Sequence, residues 1–151
     1  LYSNIYKINE DVTGFFESIS YQMMLFGVNK SPKSIRWSGC KYIEKHAFDI
    51  ENKEEYLEEM RKLTTEPDIN IIRAVSMRYG LNIVIINDVT LRNKNFKKTG
   101  LLVKIYGKYY PSNIKIRNNS EIELDKMGNI FNALKNELDE QFQEALQYFK
   151  N

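Results

Sequence analysis

The sequence predicts an α+β fold, in which helices flank a small central sheet and a long amphipathic helix follows. Three observations predict it. Apolar residues recur at helical spacing through about the first 80 residues, β-branched runs of strand length follow, and helical spacing returns over about residues 124–149. With 42% hydrophobic and 28% charged residues, the chain has the composition of a packed globular protein.

The first two helices are predicted from apolar spacing and from their end signals. Apolar residues at intervals of three and four predict a helix over about residues 14–26, which Gly27 is placed to end. A Ser-Pro-Lys-Ser loop follows, and Ser34 is its predicted N-cap residue. The second helix is therefore expected over about residues 35–46.

Two further helices are predicted before the strands begin. The third, over about residues 53–63, is expected to bury four apolar side chains. Asp68 is the expected N-cap of the fourth helix, over about residues 69–79, and Gly80 closes it. The side chains expected to be buried by the third helix are Tyr56, Leu57, Met60 and Leu63.

The strand pattern is concentrated between the fourth helix and the C-terminal region. A β-branched run over residues 82–87, between polar residues, predicts a buried strand. Alternating patterns predict further strands over residues 101–106 and 113–117, joined by a turn region at 107–111. A short extended segment is also expected over residues 5–8.

Together these elements predict one compact domain over residues 1–118 and a C-terminal helical extension over residues 119–151. The long apolar stripe of the extension is expected to pack on its own domain. Two alternatives remain open, a dimer helix and a connector to a following domain.

Composition excludes several classes of protein. No apolar run approaches the length of roughly 18–20 residues that a membrane span needs. With one Cys and one His, no internal disulfide can form, and neither a structural zinc site nor any cofactor is predicted. A reducing, cytoplasmic location is expected. The abundance of Asn, Ile and Lys indicates an AT-rich genome, as in some symbionts, parasites and large viruses. If the protein is an effector from such a source, the expected location is the host cytosol.

Neither Cys40 nor His46 has the pattern of a catalytic pair. A nucleophilic thiolate needs a helix N-terminus or a neighbouring imidazole, whereas Cys40 lies in mid-helix and His46 points well away from it. Cys40 is predicted to be a small buried side chain and His46 a surface residue near a helix end. A solvated outer face is the expected role of the carboxylates Glu51, Glu54, Glu55, Glu58 and Glu59.

Charge is distributed unevenly along the second half of the chain. Residues 91–118 contain eight basic residues and no acid, whereas residues 119–151 contain three basic and seven acidic residues. The favoured interpretation is that the acidic helix packs beside the basic segment. The alternative is a nucleic-acid or acidic-protein binding patch, although a net charge of only +2 does not favour nucleic acid.

The turn into the first helix, Asp11-Val-Thr-Gly-Phe-Phe16, resembles the OTU (ovarian tumour) family of deubiquitinating cysteine proteases, which carry Asp-Gly-Asn-Cys-Leu-Phe there. Further short segments are similar to the family in the same order, among them Ser34-Ile-Arg36 and Gly107-Lys-Tyr-Tyr-Pro111. The resemblance covers about residues 5–117. It implies a papain-like cysteine protease fold with ubiquitin as the substrate class.

The departures from the family pattern fall on the catalytic positions. Asp11 agrees with the family's acidic position, but Gly14 occupies the position of the nucleophilic Cys. Lys108, or Tyr109 under a one-residue shift, occupies the position of the catalytic His. Val12 replaces the first glycine of the motif, which puts the oxyanion hole in doubt. Glycine offers no nucleophile, and a lysine is protonated near neutral pH.

The resemblance therefore implies a catalytically inactive OTU-like domain that acts as a binding or scaffolding module. The expected partner is ubiquitin, a ubiquitin-like protein or another domain of a longer parent protein. The alternative is an active cysteine-type deubiquitinase whose nucleophile was replaced at Gly14 by engineering. That alternative does not explain the missing His. Because both the nucleophilic Cys and the His are absent from their expected positions, a natural pseudoenzyme is favoured.

Overall fold

The chain has an α+β fold in which helices cover one face of a four-stranded mixed sheet. The structure is a computed structural model that describes residues 8, 9, 11–86, 88–113, 115, 116, 132, 135–137 and 139–147. The predicted fold class is confirmed at this level. No helix in these ranges is long and apolar enough to cross a membrane.

Four helices precede the sheet, close to their predicted positions. Helix α1 spans Phe15–Leu25, α2 Pro32–Lys45, α3 Lys53–Met60 and α4 Ile69–Tyr79. The predicted end signals of α4 are confirmed. The Asp68 side chain accepts a hydrogen bond from the Ile71 N–H at 3.1 Å, and Gly80 ends the helix with a positive φ of 61°.

The predicted start of α2 was wrong by three residues. Ser31 is the N-cap, and its Oγ accepts a hydrogen bond from the Ser34 N–H at 3.1 Å. Pro32 occupies the first helical turn, where its fixed φ is favourable and its missing N–H costs nothing. Ser34, the predicted cap, therefore lies inside the helix.

Helix α3 is shorter than predicted. It ends at Met60, and the chain turns through residues 61–65. Leu57 and Met60 are buried as predicted and Tyr56 is half-buried, but Leu63 is 61% exposed. The prediction that Leu63 belongs to a buried helix face was therefore wrong.

The sheet has the strand order β2-β1-β3-β4. Strand β1 is Leu81–Ile86, β2 Thr90–Leu91, β3 Lys98–Ile105 and β4 Lys108–Pro111. Strands β1 and β3 are parallel, and the β1–β2 and β3–β4 pairs are antiparallel. The predicted buried strand over residues 82–87 is confirmed as β1, although residue 87 lies outside the described ranges.

The hairpin after β3 differs from the prediction. Residues 107–111 were expected to form a turn, but the turn consists of Tyr106 and Gly107, and β4 follows at once. Both turn residues have positive φ values, 53° and 77°, as a two-residue type I′ turn requires. The chain therefore reverses earlier than its sequence pattern indicates.

In the described part of the two remaining segments predicted to be extended, the structure has isolated bridges. Of the segment 113–117, Ile116 forms a bridge to Thr99, while residues 114 and 117 lie outside the described ranges. Of the segment 5–8, only Ile8 is described, and it bridges to Ser112. At the described residues 113, 115 and 116 the predicted strand is therefore represented only by this bridge.

The main core lies between the sheet and helices α1, α2 and α4. One sheet face contributes Leu81, Ile83, Ile85, Leu102 and Tyr109 to it. Helices α2 and α4 lie close together because Gly39 has no side chain. A Cβ there would lie 2.8 Å from Ile71 Cδ1 and 3.0 Å from Val75 Cγ2.

The C-terminal region is helical at the described positions, including residues 139–147. Its predicted start near residue 124 and the domain boundary near residue 118 lie outside the described ranges. The Tyr106 hydroxyl donates a hydrogen bond to Asp139, and the Tyr106 and Phe142 rings lie 6.0 Å apart. Phe142 remains 53% and Leu146 39% exposed, so this part of the apolar stripe is only partly covered.

Candidate functional site

A cleft of about 240 Å³ lies where α1 begins, beside the β3–β4 turn. Three segments line it, residues 13–17, 63–67 and 107–109, together with Arg36 of α2. Three of the four residues at the expected catalytic positions, Gly14, Lys108 and Tyr109, are among its lining residues. The cleft is therefore the candidate functional site.

A backbone hydrogen bond joins the two halves of this site. The Gly14 N–H donates to the Tyr109 carbonyl oxygen at 2.9 Å, and the Ser18 hydroxyl donates to the same oxygen at 3.3 Å. Residues 14 and 109 are distant in sequence, and the predicted order of helices and strands does not by itself indicate that they are close in space. The start of α1 and strand β4 thus lie side by side.

Gly14 has a backbone conformation that a side chain would strain. It is the N-cap residue of α1, with φ 144° and ψ 153°. A Cβ built there would overlap Glu17 Oε2 and would lie 3.0 Å from Glu17 Cδ. The Glu17 carboxylate thus lies in the space into which a side chain at position 14 would project, and glycine itself supplies no nucleophile.

Tyr109 is a core side chain and lacks the properties of a catalytic base. It is only 5% exposed, and its ring packs edge-on against Phe15 with centroids 5.7 Å apart. Burial raises the pKa of the Tyr109 hydroxyl, which therefore stays protonated near neutral pH. The Lys104 ammonium lies 5.2 Å from the centroid of the ring.

The two other expected positions are both exposed. Lys108 begins β4 and is an exposed residue of the cleft lining. Asp11 is exposed and is not among the residues that line the cleft. Its N–H donates to Asn9 Oδ1 at 3.0 Å, which fixes the turn before α1. Asp11 therefore precedes the cleft segment 13–17 without contributing to the cleft lining.

Arg36 holds one wall of the cleft in place. Its guanidinium donates to the carbonyl oxygens of Met60 at 2.9 Å, Leu63 at 3.2 Å and Thr65 at 2.9 Å. It also lies over the Phe16 ring, 4.2 Å from the centroid. Burial lowers the pKa of Arg36, although a guanidinium remains charged at neutral pH. The segment after α3 is thereby attached to α2.

The sequence identified Arg36 only as part of a short resemblance to the OTU family. Its role as a support for the cleft wall has no sequence signal, because its acceptors are backbone carbonyl groups 24 to 29 residues away. Glu17 was not singled out at all. A glutamate three residues after a helix cap is a common helix-start pattern, and that was the only available signal.

Cys40 and His46 do not form a second site. Cys40 is buried, which confirms its prediction, and burial raises the pKa of its thiol. His46 is exposed at the C-cap of α2, also as predicted. Its ring stacks on Tyr42 at 3.8 Å, and Nδ1 lies 2.9 Å from the Tyr42 carbonyl oxygen. Neither residue lines the cleft.

The charged clusters predicted from sequence have different outcomes. The carboxylates at residues 51, 54, 55, 58 and 59 are all exposed, which confirms a solvated face. In the basic segment, Lys104 Nζ is 3.7 Å from Asp88 Oδ2, and Lys98 Nζ is 5.7 Å from the Phe26 ring centroid. Nucleic-acid or acidic-protein binding by residues 91–118 stays a prediction.

Comparison with known proteins adds no assignment to this geometry. The chain matches no protein-family model, and no curated protein matches it at a significant level. Within the described ranges there is also no group of three His, Cys, Asp or Glu side chains that could hold a metal ion.

Proposed function

We propose that the chain is an OTU-like domain with a papain-like cysteine protease fold that has lost its catalytic pair and acts as a binding module. The observation that carries the proposal is the hydrogen bond from the Gly14 N–H to the Tyr109 carbonyl oxygen. This bond joins the start of α1 to β4, the two segments in which OTU proteases carry the nucleophile and its imidazole partner.

The chemistry of the cleft supports an inactive protein. Acyl transfer needs a nucleophile and a base, whereas Gly14 supplies neither and the Tyr109 hydroxyl is buried and protonated. In other proteases, removal of catalytic groups leaves roughly 10³–10⁴-fold acceleration over water, far below the full rate. The Glu17 carboxylate beside Gly14 would also repel an oxyanion that formed there.

The same cleft retains features that suit a peptide tail. Glu17 and Glu66 both line it, and within the described residues neither has a cation within 4.0 Å, although both interact electrostatically with the Arg36 guanidinium of the same cleft. An extended, positively charged segment, such as the C-terminal tail of a ubiquitin-like protein, would complement these carboxylates. Arg36 keeps the wall at residues 63–67 in place, so the binding surface exists before the partner arrives.

The experiment is an NMR titration of the labelled protein with ubiquitin and with diubiquitins. We expect shifts at residues 13–17 and 107–109, and binding at least about 10-fold weaker in Glu17→Lys because a paired charge is reversed. Glu58→Lys is the matched control, since Glu58 is an exposed acid of α3 outside the cleft. Absence of shifts at high micromolar ubiquitin would remove ubiquitin as the partner.

An activity-based ubiquitin probe distinguishes this proposal from an active deubiquitinase. Such probes form a covalent bond to a catalytic thiol, and Cys40 is the single thiol of the chain. We expect no labelling, because the buried Cys40 thiol is protonated and inaccessible. A covalent adduct at Cys40 would overturn the inactive assignment.

A further inference from the structure

A second concave surface lies along the exposed side of α2 near the end of α4, separate from the cleft at Gly14. We name it the basic groove, and its volume is about 350 Å³. The residues that define it are Trp37, Lys41, Tyr42, Lys45, His46 and Arg78.

The groove follows directly from the packing of two helices. Trp37, Lys41 and Lys45 are spaced by four residues, so their side chains form one stripe along α2. Arg78 comes from the last turn of α4. The close approach of the two helices at Gly39 brings the side chains of α4 beside that stripe.

The groove carries positive charge that is not neutralised. Its lining includes two lysines and an arginine but no acidic residue. Within the described part of the chain, none of these three cations has a carboxylate oxygen within 4.0 Å. Lys41 Nζ lies 4.9 Å from the Trp37 ring centroid, and Arg78 lies 5.1 Å from that of Tyr79. Both cations therefore remain available to an anion.

Trp37 gives the groove a large apolar contact surface. It is the single tryptophan of the chain, and 57% of it is exposed. A large exposed aromatic residue surrounded by cations is typical of the centre of a protein interface, where Trp and Arg contribute most of the binding energy. Trp37 does not line the cleft at Gly14, so the function proposed for that cleft does not account for its exposure.

We propose that the basic groove binds a short acidic peptide segment of a partner protein, with an apolar side chain against Trp37 and carboxylates beside Lys41, Lys45 and Arg78. The volume suits a few side chains and not a folded domain. The charge arrangement excludes the basic tail expected in the other cleft, so the two sites would take partners of opposite charge.

Two features favour a peptide over single-stranded nucleic acid. Bases bind by stacking on open aromatic faces, but Lys41 covers one face of Trp37 and His46 stacks on Tyr42. The three cations of the groove also lie within about one turn of α2 and the last turn of α4, so a polyanion longer than a few residues would extend past them. A short peptide matches that extent.

Trp37 fluorescence provides the test, because a single tryptophan reports the groove alone. The probe is a synthetic hexapeptide with two leucines between pairs of glutamates, titrated into the full chain at low and at high salt. We expect a saturable change in Trp37 emission that weakens as salt is raised. We also expect binding to fall at least about 10-fold in Lys45→Glu, because a favourable charge pair becomes repulsive.

Matched controls make the outcome decisive. Lys94→Glu makes the same charge change at an exposed position outside the groove, and we expect less than about a twofold effect on binding. The same peptide with glutamine in place of glutamate should bind weakly. Absence of a saturable change at millimolar peptide, equal binding of the glutamine peptide, or an equal loss in Lys94→Glu would each overturn the proposal. Tighter binding of oligothymidylate at the same salt would overturn it in favour of nucleic acid.

Discussion

Two glycines, Gly39 and Gly14, each resist substitution for a different physical reason. At Gly39 the constraint is packing, because a Cβ would press on Ile71 and Val75 of α4. At Gly14 the constraint is a positive φ together with the carboxylate of Glu17. One glycine builds the core, whereas the other lies in an open cleft, where core packing gives no reason for a missing side chain.

Gly39 contributes to stability through the core, whereas Gly14 lies at the candidate functional site. Packing accounts for Gly39, because its missing side chain lets α2 and α4 approach closely within the core. Gly14 instead has a backbone conformation that other residues adopt only with strain, and it lies beside the cleft, so core packing does not account for it. Arg36 connects the two regions, because it belongs to α2 and supports the wall of the cleft.

The largest effect is expected where the two regions meet, in Arg36→Ala. The change leaves the carbonyl oxygens of Met60, Leu63 and Thr65 without their charged donor. We expect the free energy of unfolding to fall by about 3 kcal/mol, measured by urea denaturation. Hydrogen exchange should also accelerate in residues 61–67, because the cleft wall loses its attachment.

Arg61→Ala is the matched control for this prediction. Arg61 forms an ion pair with Glu44 at 2.9 Å, but both side chains are about half exposed. Such a pair contributes roughly 0–1 kcal/mol. Equal losses in the two variants would show that Arg36 does not hold the cleft wall to α2.

The next effect concerns the packing glycine. Gly39→Ala should lower the free energy of unfolding by about 2 kcal/mol, because the new methyl group overpacks the α2–α4 contact. Ile71→Val removes Cδ1, the atom 2.8 Å from the added Cβ. We therefore expect the double variant to be less destabilised than the sum of the two single variants. Simple additivity would contradict the contact with Ile71.

Position 14 tests whether the cleft can accommodate and activate a nucleophile. In Gly14→Cys the new side chain meets a positive φ and the Glu17 carboxylate, so we expect a loss of about 1–2 kcal/mol and no labelling by a ubiquitin probe. Gly14→Ala should cost about the same, because the strain depends on the Cβ. Efficient labelling of the new thiol would show that the cleft activates a thiol without a histidine beside it, which would contradict the proposed inactive role.

Much of the fold could be predicted because its helices carry strong local signals. Apolar spacing and the residues Asp68 and Gly80 were sufficient for α4. The hairpin at Tyr106 and Gly107 was misplaced, because a tyrosine at positive φ gives no sequence signal. Strand β2 was missed, because two residues are too few to show alternation.

The sequence indicated some of the residues that line the candidate site but not the contacts between them. The resemblance indicated Gly14, Lys108 and Tyr109, and these three residues line one cleft. It did not indicate that Glu17 occupies the space beside Gly14, or that Arg36 binds three carbonyl groups of the opposite wall. The Arg36 contacts join segments that are separate in sequence, and the Glu17 contact depends on the positive φ of Gly14. Neither leaves a repeating pattern in the sequence.

The smallest expected effect is a pH dependence that arises in the core and not in the cleft. Burial raises the pKa of the Cys40 thiol in the folded protein. Above roughly pH 8.5 the unfolded chain therefore loses this proton while the folded chain keeps it, so stability falls as the pH rises. One such group contributes at most about 1.4 kcal/mol per pH unit. Urea denaturation between about pH 7 and pH 10 spans that reference pKa. The free energy of unfolding should decline less steeply with pH in Cys40→Ala than in the original chain. Identical slopes would mean that the thiol titrates alike in both states, and a solvated Cys40 would again be available as a nucleophile.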